Sequence, residues 1–216
     1  MPTADTAPAK HLTACVEAVR RLDALALEQA LSVATVELSV PVLLESVVFQ
    51  LMETIGNQWR GGVMRLSHEH LATAVVRSFL GAMISTSHMA AGSGPIVIVT
   101  TPAGQRHELG ALMVAVTAAS RGWDPLYLGA NMPSEEIAFA ARERNANAVA
   151  LSICFPADDP GLHPQLRKLR QQLPASIPIL AGGNAMNGYR QALDNINALC
   201  LTSLGDLALA LDGLRA

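Results

Sequence analysis

Ile96-Val97-Ile98-Val99-Thr100-Thr101-Pro102-Ala103-Gly104-Gln105-Arg106-His107-Glu108-Leu109-Gly110 is the stretch that decides the fold. Its first four residues are apolar and β-branched, too short a run for a helix and suited to a strand buried on both faces. Thr100-Thr101-Pro102 ends that run. From about Glu108 the apolar spacing turns helical as far as Ser120, and Arg121-Gly122 closes it. A buried strand that leads through a loop into a helix is the building unit of a parallel α/β sheet.

The unit repeats toward the C-terminus. Leu126-Tyr127-Leu128 reads as a strand, and Pro133-Ser134-Glu135-Glu136 opens a helix. Ala148 to Ile153 is a strand, and a helix is expected at about 162–173. Ile177 to Leu180 is a strand ending in Gly182-Gly183, Leu199-Cys200-Leu201 is the last strand, and a final helix begins at about Leu204. Alternation of this kind implies right-handed crossovers and a doubly wound, five-stranded parallel sheet of the Rossmann or flavodoxin-like type over residues 95–216. Such sheets bind ligands at the carboxyl ends of their strands.

Toward the N-terminus the period is helical throughout. Cys15, Val19, Leu22, Leu25 and Leu27 keep helical spacing. A second stretch runs from Val42 to Ile55 behind Pro41, which suits a first helical turn because its missing N–H costs nothing there. Gly61-Gly62 breaks the chain, and Ser67 is the expected cap of a long helix through Leu71, Val75, Val76, Leu80 and Met83. Residues 10–90 are therefore expected to form a four-helix bundle, residues 1–9 a flexible N-terminus, and Ala90 to Pro95 a linker.

Composition narrows the function. The net charge of −3, with Lys and Arg scattered, argues against a nucleic-acid surface, so no direct DNA binding is expected. Arg167, Lys168 and Arg170 do cluster, on what reads as a solvated helix face. No apolar run approaches the roughly 20 residues that span a bilayer. The opening Met1 to Lys10 lacks the order of a signal peptide, and a cytoplasmic protein is the expectation. Cys15, Cys154 and Cys200 are too scattered for a metal cluster and read as small buried hydrophobes.

His107 sits where the first α/β loop enters its helix, at the ligand-binding edge. On its own it is a metal ligand, a catalytic base or a surface residue. Ser152 at the end of the third strand and Gly182-Gly183 at the end of the fourth would converge on the same edge, and glycines there let a bulky ligand approach the backbone. Gln105-Arg106-His107-Glu108-Leu109-Gly110, with Ser152 and Gly182-Gly183, resembles the cobalamin-binding signature Asp-x-His-x-x-Gly. The resemblance implies that His107 is the lower axial cobalt ligand, and that Ser152, Gly182 and Gly183 line the course of the displaced nucleotide tail. Gln105 departs from the pattern, which has an acid there. A second-shell carboxylate orients a ligating imidazole. Gln105 is expected to accept the imidazole N–H without supplying charge, so that the bond to cobalt is weaker and Gln105→Glu strengthens it.

Trp59, then nine residues, then Glu69-His70 carries a second resemblance. It resembles the Trp-x9-Glu-His motif of the light-responsive cobalamin regulators of the CarH/LitR class, as do Tyr127-Leu128-Gly129 and Pro133. In that class a four-helix bundle caps the corrin, with the Trp against the upper adenosyl group. The implied function is a light sensor in which photolysis of the cobalt–carbon bond changes domain arrangement or assembly and signals to a partner, a transcriptional regulator. Adenosylcobalamin is the expected form, with methylcobalamin and hydroxocobalamin as alternatives. A dimer or tetramer is expected, without catalysis of its own. The class commonly carries an N-terminal DNA-binding domain; here a stand-alone sensor is expected. Arg60 stands where some members have a His, and Arg does not ligate. The ligand after photolysis is then water, His70 or His68. The alternative reading is a corrinoid methyl carrier of a methyltransferase system; a further one is a related module holding another tetrapyrrole such as a bilin.

Overall fold

The computed structural model describes residues 6–91 and 94–215. The chain packs as two units divided between Ala82 and Met83.

The first unit is helical. Helix α1 spans Ala7–Arg20 and α2 spans Ala24–Glu37. Between them Leu22 adopts φ +54 and Asp23 caps α2, accepting the N–H of Ala26 at 2.9 Å. The apolar spacing through Leu22 and Leu25 therefore crosses a turn, and both side chains are exposed. Residues 40–60 form one helical run of three parts: α3 (Val40–Val42) with Pro41 in its first turn, a π-helical segment (Leu43–Phe49), and α4 (Gln50–Arg60). Gly61 and Gly62 end it, the latter at φ +72.

Helix α5 spans Leu66–Ala91. Its cap is not Ser67, which lies inside the first turn. His68 takes that part: its Nδ1 accepts the N–H of Arg65, the residue before the helix, at 3.0 Å. Ala90 and Ala91, expected in a linker, are helical; residues 92 and 93 of that linker, and 1–5 of the N-terminus, lie outside the described residues. The core of this unit is Cys15, Val19, Leu27, Leu31, Leu44, Val48, Leu51, Ile55, Val76 and Leu80.

The second unit holds the expected sheet. Strands β1 (Ile96–Thr100), β2 (Asp124–Tyr127), β3 (Ala148–Ser152), β4 (Ile179–Gly182) and β5 (Leu199–Cys200) are all parallel, in the order β2-β1-β3-β4-β5. This is the flavodoxin-like winding, which reverses direction beside β1. Helices α6 (Leu109–Ser120) and α10 (Leu204–Arg215) pack together on one face. Helices α7 (Ser134–Glu143) and α8 (Leu162–Gln172) bury Ile137, Ala141, Leu162 and Leu166 against Ile98, Val149, Leu151 and Ile179 on the other. A 3-10 turn (Met186–Tyr189) and short α9 (Arg190–Asp194) join β4 to β5, which no sequence signal singled out. Arg170 does not sit on a solvated face. Its guanidinium donates to the carbonyls of Leu173, Pro174 and Ile177, tying down the chain that enters β4.

Candidate functional site

Register brings the expected residues to one edge. Thr100 pairs with Leu151 and Ser152 with Gly182, so β1, β3 and β4 end side by side. The loop after β1 is pinned from below. The Thr101 hydroxyl, fully buried, donates to the Gln105 carbonyl and accepts the N–H of Asn131. Gly104 adopts φ +89, and its N–H donates to Asn131 Oδ1 at 2.8 Å. A Cβ on Gly104 would lie 2.5 Å from Asp159 Oδ2. These contacts fix the path of the loop.

Gln105 is where the structure corrects the sequence reading. Its side chain is buried, and its partners are backbone groups and not the imidazole of His107. Oε1 accepts the backbone N–H groups of Cys154 at 3.0 Å and Phe155 at 2.9 Å, and Nε2 donates to the Pro156 carbonyl at 3.0 Å. The network also sets the amide's orientation, because two donors face Oε1 and an acceptor faces Nε2. Gln105 staples the loop after β1 to the loop after β3 and has no acceptor site left for an imidazole N–H.

His107 and Arg106 are exposed at the edge. The imidazole has no hydrogen-bond partner among the described residues; its ring stands T-shaped to that of Phe155, with centroids 5.7 Å apart and planes at 87°. Glu108 instead receives the Tyr127 hydroxyl at 2.5 Å. Leu128 donates its N–H to the Val99 carbonyl, and the Gly129 carbonyl accepts from the Thr100 hydroxyl at 2.7 Å, so this segment extends the β2 edge.

The glycines at this edge are places of close packing within the chain. A Cβ on Gly110, in the first turn of α6, would lie 2.6 Å from Ser152 Oγ and 3.2 Å from Cys154 Sγ. Gly183 adopts φ +108, and a Cβ there would sit 2.4 Å from the Ile153 carbonyl oxygen. A Cβ on Gly182 would meet the Leu201 carbonyl at 3.2 Å. Ser152 is buried, with its hydroxyl 3.4 Å from Cys154 Sγ. Cys154 and Cys200 are only half-buried, unlike Cys15, whose thiol burial pushes up to about 12.

The helical unit supplies a separate group. Trp59, at the end of α4, is 45% exposed. At the start of α5, Glu69 Oε2 and His70 Nδ1 are 2.7 Å apart, and Thr73 donates to Glu69 Oε1 at 2.9 Å. Arg60 is turned to Asn57 Oδ1 at 2.6 Å.

Sequence reasoning missed Phe155, Tyr189 and Asn131. Tyr189 is buried; its hydroxyl donates to the Pro156 carbonyl at 2.8 Å and accepts the Asp159 N–H at 2.7 Å. Phe155 lies three residues past the end of β3, so the rule that places ligands at strand ends was signal enough to find it. No three His, Cys, Asp or Glu among the described residues gather to hold a bare metal ion. One imidazole left open and exposed at the strand tips suits a metal already held by its own macrocycle. The residues present therefore fit cobalamin.

Comparison with known proteins agrees. The B12 binding domain family matches residues 95–202, and a second B12 binding domain family matches residues 12–83. The HTH-type transcriptional repressor CarH of Myxococcus xanthus is 24% identical over 152 residues, 70% of this chain and 50% of that protein. The repressor CarA of the same organism is 26% identical over 133 residues, 62% of this chain and 46% of that one. The chain thus spans about half the length of these curated relatives. The monomethylamine corrinoid protein of Methanosarcina barkeri shares the fold, with a TM-score of 0.74 at 14% identity over 96% of this chain and 100% of that one. No described helix is long and apolar enough to cross a membrane. With one match over half its length and another over its helical part, this chain belongs to the B12-binding domain family.

Proposed function

We propose that the protein is a cobalamin-dependent light sensor that signals by a change of assembly to a separate regulator of transcription. Bound adenosylcobalamin supplies a visible chromophore and a cobalt–carbon bond that light breaks. In this reading His107 is the lower cobalt ligand. The backbone at Gly110, Ser152, Gly182 and Gly183 admits the nucleotide tail, and Arg106, Tyr127, Leu128 and Gly129 lie along the same rim. Trp59 offers its indole to the upper group, and the Glu69–His70 pair offers hydrogen bonds beside it. His70 is the candidate cobalt ligand after illumination: Glu69 engages Nδ1 at 2.7 Å, which leaves Nε2 of an exposed side chain for the metal.

The observation that carries the reading is Trp59 left 45% exposed on one side of the Gly61-Gly62 turn, with the Glu69–His70 pair on the other. An indole left open near a polar pair offers a ligand or partner both apolar area and a hydrogen-bond donor. Likeness to two transcriptional repressors over most of this chain supports the regulatory half of the proposal. The second reading, a corrinoid methyl carrier, is favoured by the fold likeness to the monomethylamine corrinoid protein. The experiment is reconstitution with adenosylcobalamin in the dark, followed by absorbance and size-exclusion profiles before and after green light. The sensor changes both spectrum and elution; uptake with unchanged elution selects the carrier, and no uptake defeats both.

A further inference from the structure

A ligating imidazole needs its plane held, and the usual means is a hydrogen bond from its second nitrogen to a carboxylate or carbonyl. His107 has no such partner among the described residues, and its ring packs T-shaped against that of Phe155. Phe155 is 64% exposed and adds little to the core of its unit. Its backbone, in contrast, is fixed on both sides. Cys154 and Phe155 donate to Gln105 Oε1, and the Pro156 carbonyl accepts from both Gln105 Nε2 and the Tyr189 hydroxyl. Two buried side chains thus hold three consecutive residues whose one large ring stands against the imidazole.

The chemistry at position 105 fits this arrangement and excludes the other. An amide offers an acceptor to the two N–H groups and a donor to the carbonyl. A carboxylate would set one of its oxygens against the Pro156 oxygen, so an acid here could not make the same staple. We propose that Phe155 is the positioning residue of His107: held by Gln105, its ring, T-shaped to the imidazole, sets the imidazole plane for cobalt in place of a hydrogen-bonded carboxylate. This rests on reading His107 as the cobalt ligand.

The test uses the full chain and adenosylcobalamin in the dark, with Phe155→Leu and Phe155→Trp. Leu keeps apolar bulk and removes the aromatic ring; Trp restores one. Phe155→Leu is expected to bind adenosylcobalamin about 10-fold more weakly, the lower end of what loss of an orienting partner costs a metal site. The imidazole-nitrogen splitting in the electron paramagnetic resonance spectrum of the cob(II)alamin-loaded protein should weaken with it, and Phe155→Trp should recover both. In the cofactor-free protein the His107 ring protons should lose their ring-current shift in Phe155→Leu while the melting temperature stays put. Unchanged affinity and splitting in Phe155→Leu overturn the proposal and leave the cobalamin site standing. Failure of the unmutated chain to take up adenosylcobalamin overturns the cobalt-ligand reading itself, and the proposal with it.

Discussion

Gly110 and Ser152 are packed so closely that a single carbon between them has no room: a Cβ on Gly110 would lie 2.6 Å from Ser152 Oγ. The contact sets how near α6 approaches β3, and therefore where the His107 loop stands above the strand tips. Gly110→Ala forces the helix start away from β3 or turns the Ser152 side chain out of a buried position. Overpacking of this kind costs about 1–3 kcal/mol. Urea denaturation should show that loss, and cobalamin affinity should fall with it. Cutting Ser152 back to Gly in the same chain should relieve the overlap and recover part of the stability.

Gln105→Glu separates two accounts of that residue. If the side chain served the imidazole, a carboxylate would tighten the cobalt site. As a staple it loses the Nε2 donor, and a buried acid faces the Pro156 carbonyl. Leaving a buried polar group unmatched costs about 1–3 kcal/mol. Gln105→Glu should therefore lower the denaturation midpoint and speed hydrogen exchange at the amides of Cys154 and Phe155. An unaltered exchange pattern would remove the staple from the account.

These cases mark what the sequence made legible. Strand and helix identities in the α/β unit follow from periodicity, because buried parallel strands are short apolar runs and little else in the chain resembles them. His107, Ser152 and Gly182-Gly183 were readable as one site because strand ends in such a sheet share an edge. Gln105 was misread for a definite reason. Its partners are backbone groups of Cys154, Phe155 and Pro156, about 50 positions away in the chain, and backbone partners leave no trace in residue identity. The turn at Leu22 shows the reverse. Asp23 was a visible cap, and the apolar spacing running past it masked the signal.

The far end of α6 gives a pH-dependent prediction. Arg121 makes a two-point ion pair with Asp212 of α10, and the Trp123 indole N–H donates to the Leu211 carbonyl at 3.3 Å. Hydrogen bonding from Arg121 holds the Asp212 carboxyl below its ordinary value of 3.8. A carboxyl depressed on folding adds stability that is present above its unfolded value and is lost as pH falls through its folded one. The melting temperature should therefore fall on acidification below about pH 4, and Asp212→Asn should show a shallower fall over that window. Both groups are solvent-exposed, so the difference should shrink in high salt.

His107→Ala and Gly183→Ala should part ways although both disturb one site. His107 is exposed and unbonded, so its loss should leave the cofactor-free protein within about 0.5 kcal/mol of its original stability. Gly183 adopts φ +108, and a Cβ there would press to 2.4 Å on the Ile153 carbonyl. Strain at such a backbone position alone costs on the order of 1–3 kcal/mol, so Gly183→Ala should melt lower with no cofactor present. A ligand that binds only the folded state raises stability in proportion to the logarithm of its excess over Kd. Melting curves with increasing adenosylcobalamin should climb steadily for the unmutated chain. His107→Ala should start from the same cofactor-free temperature and climb later, because only the affinity has changed. Gly183→Ala should start lower and also climb later. Equal starting points for all three proteins would show that Gly183 is free to relax and that its place at the end of β4 serves the ligand alone.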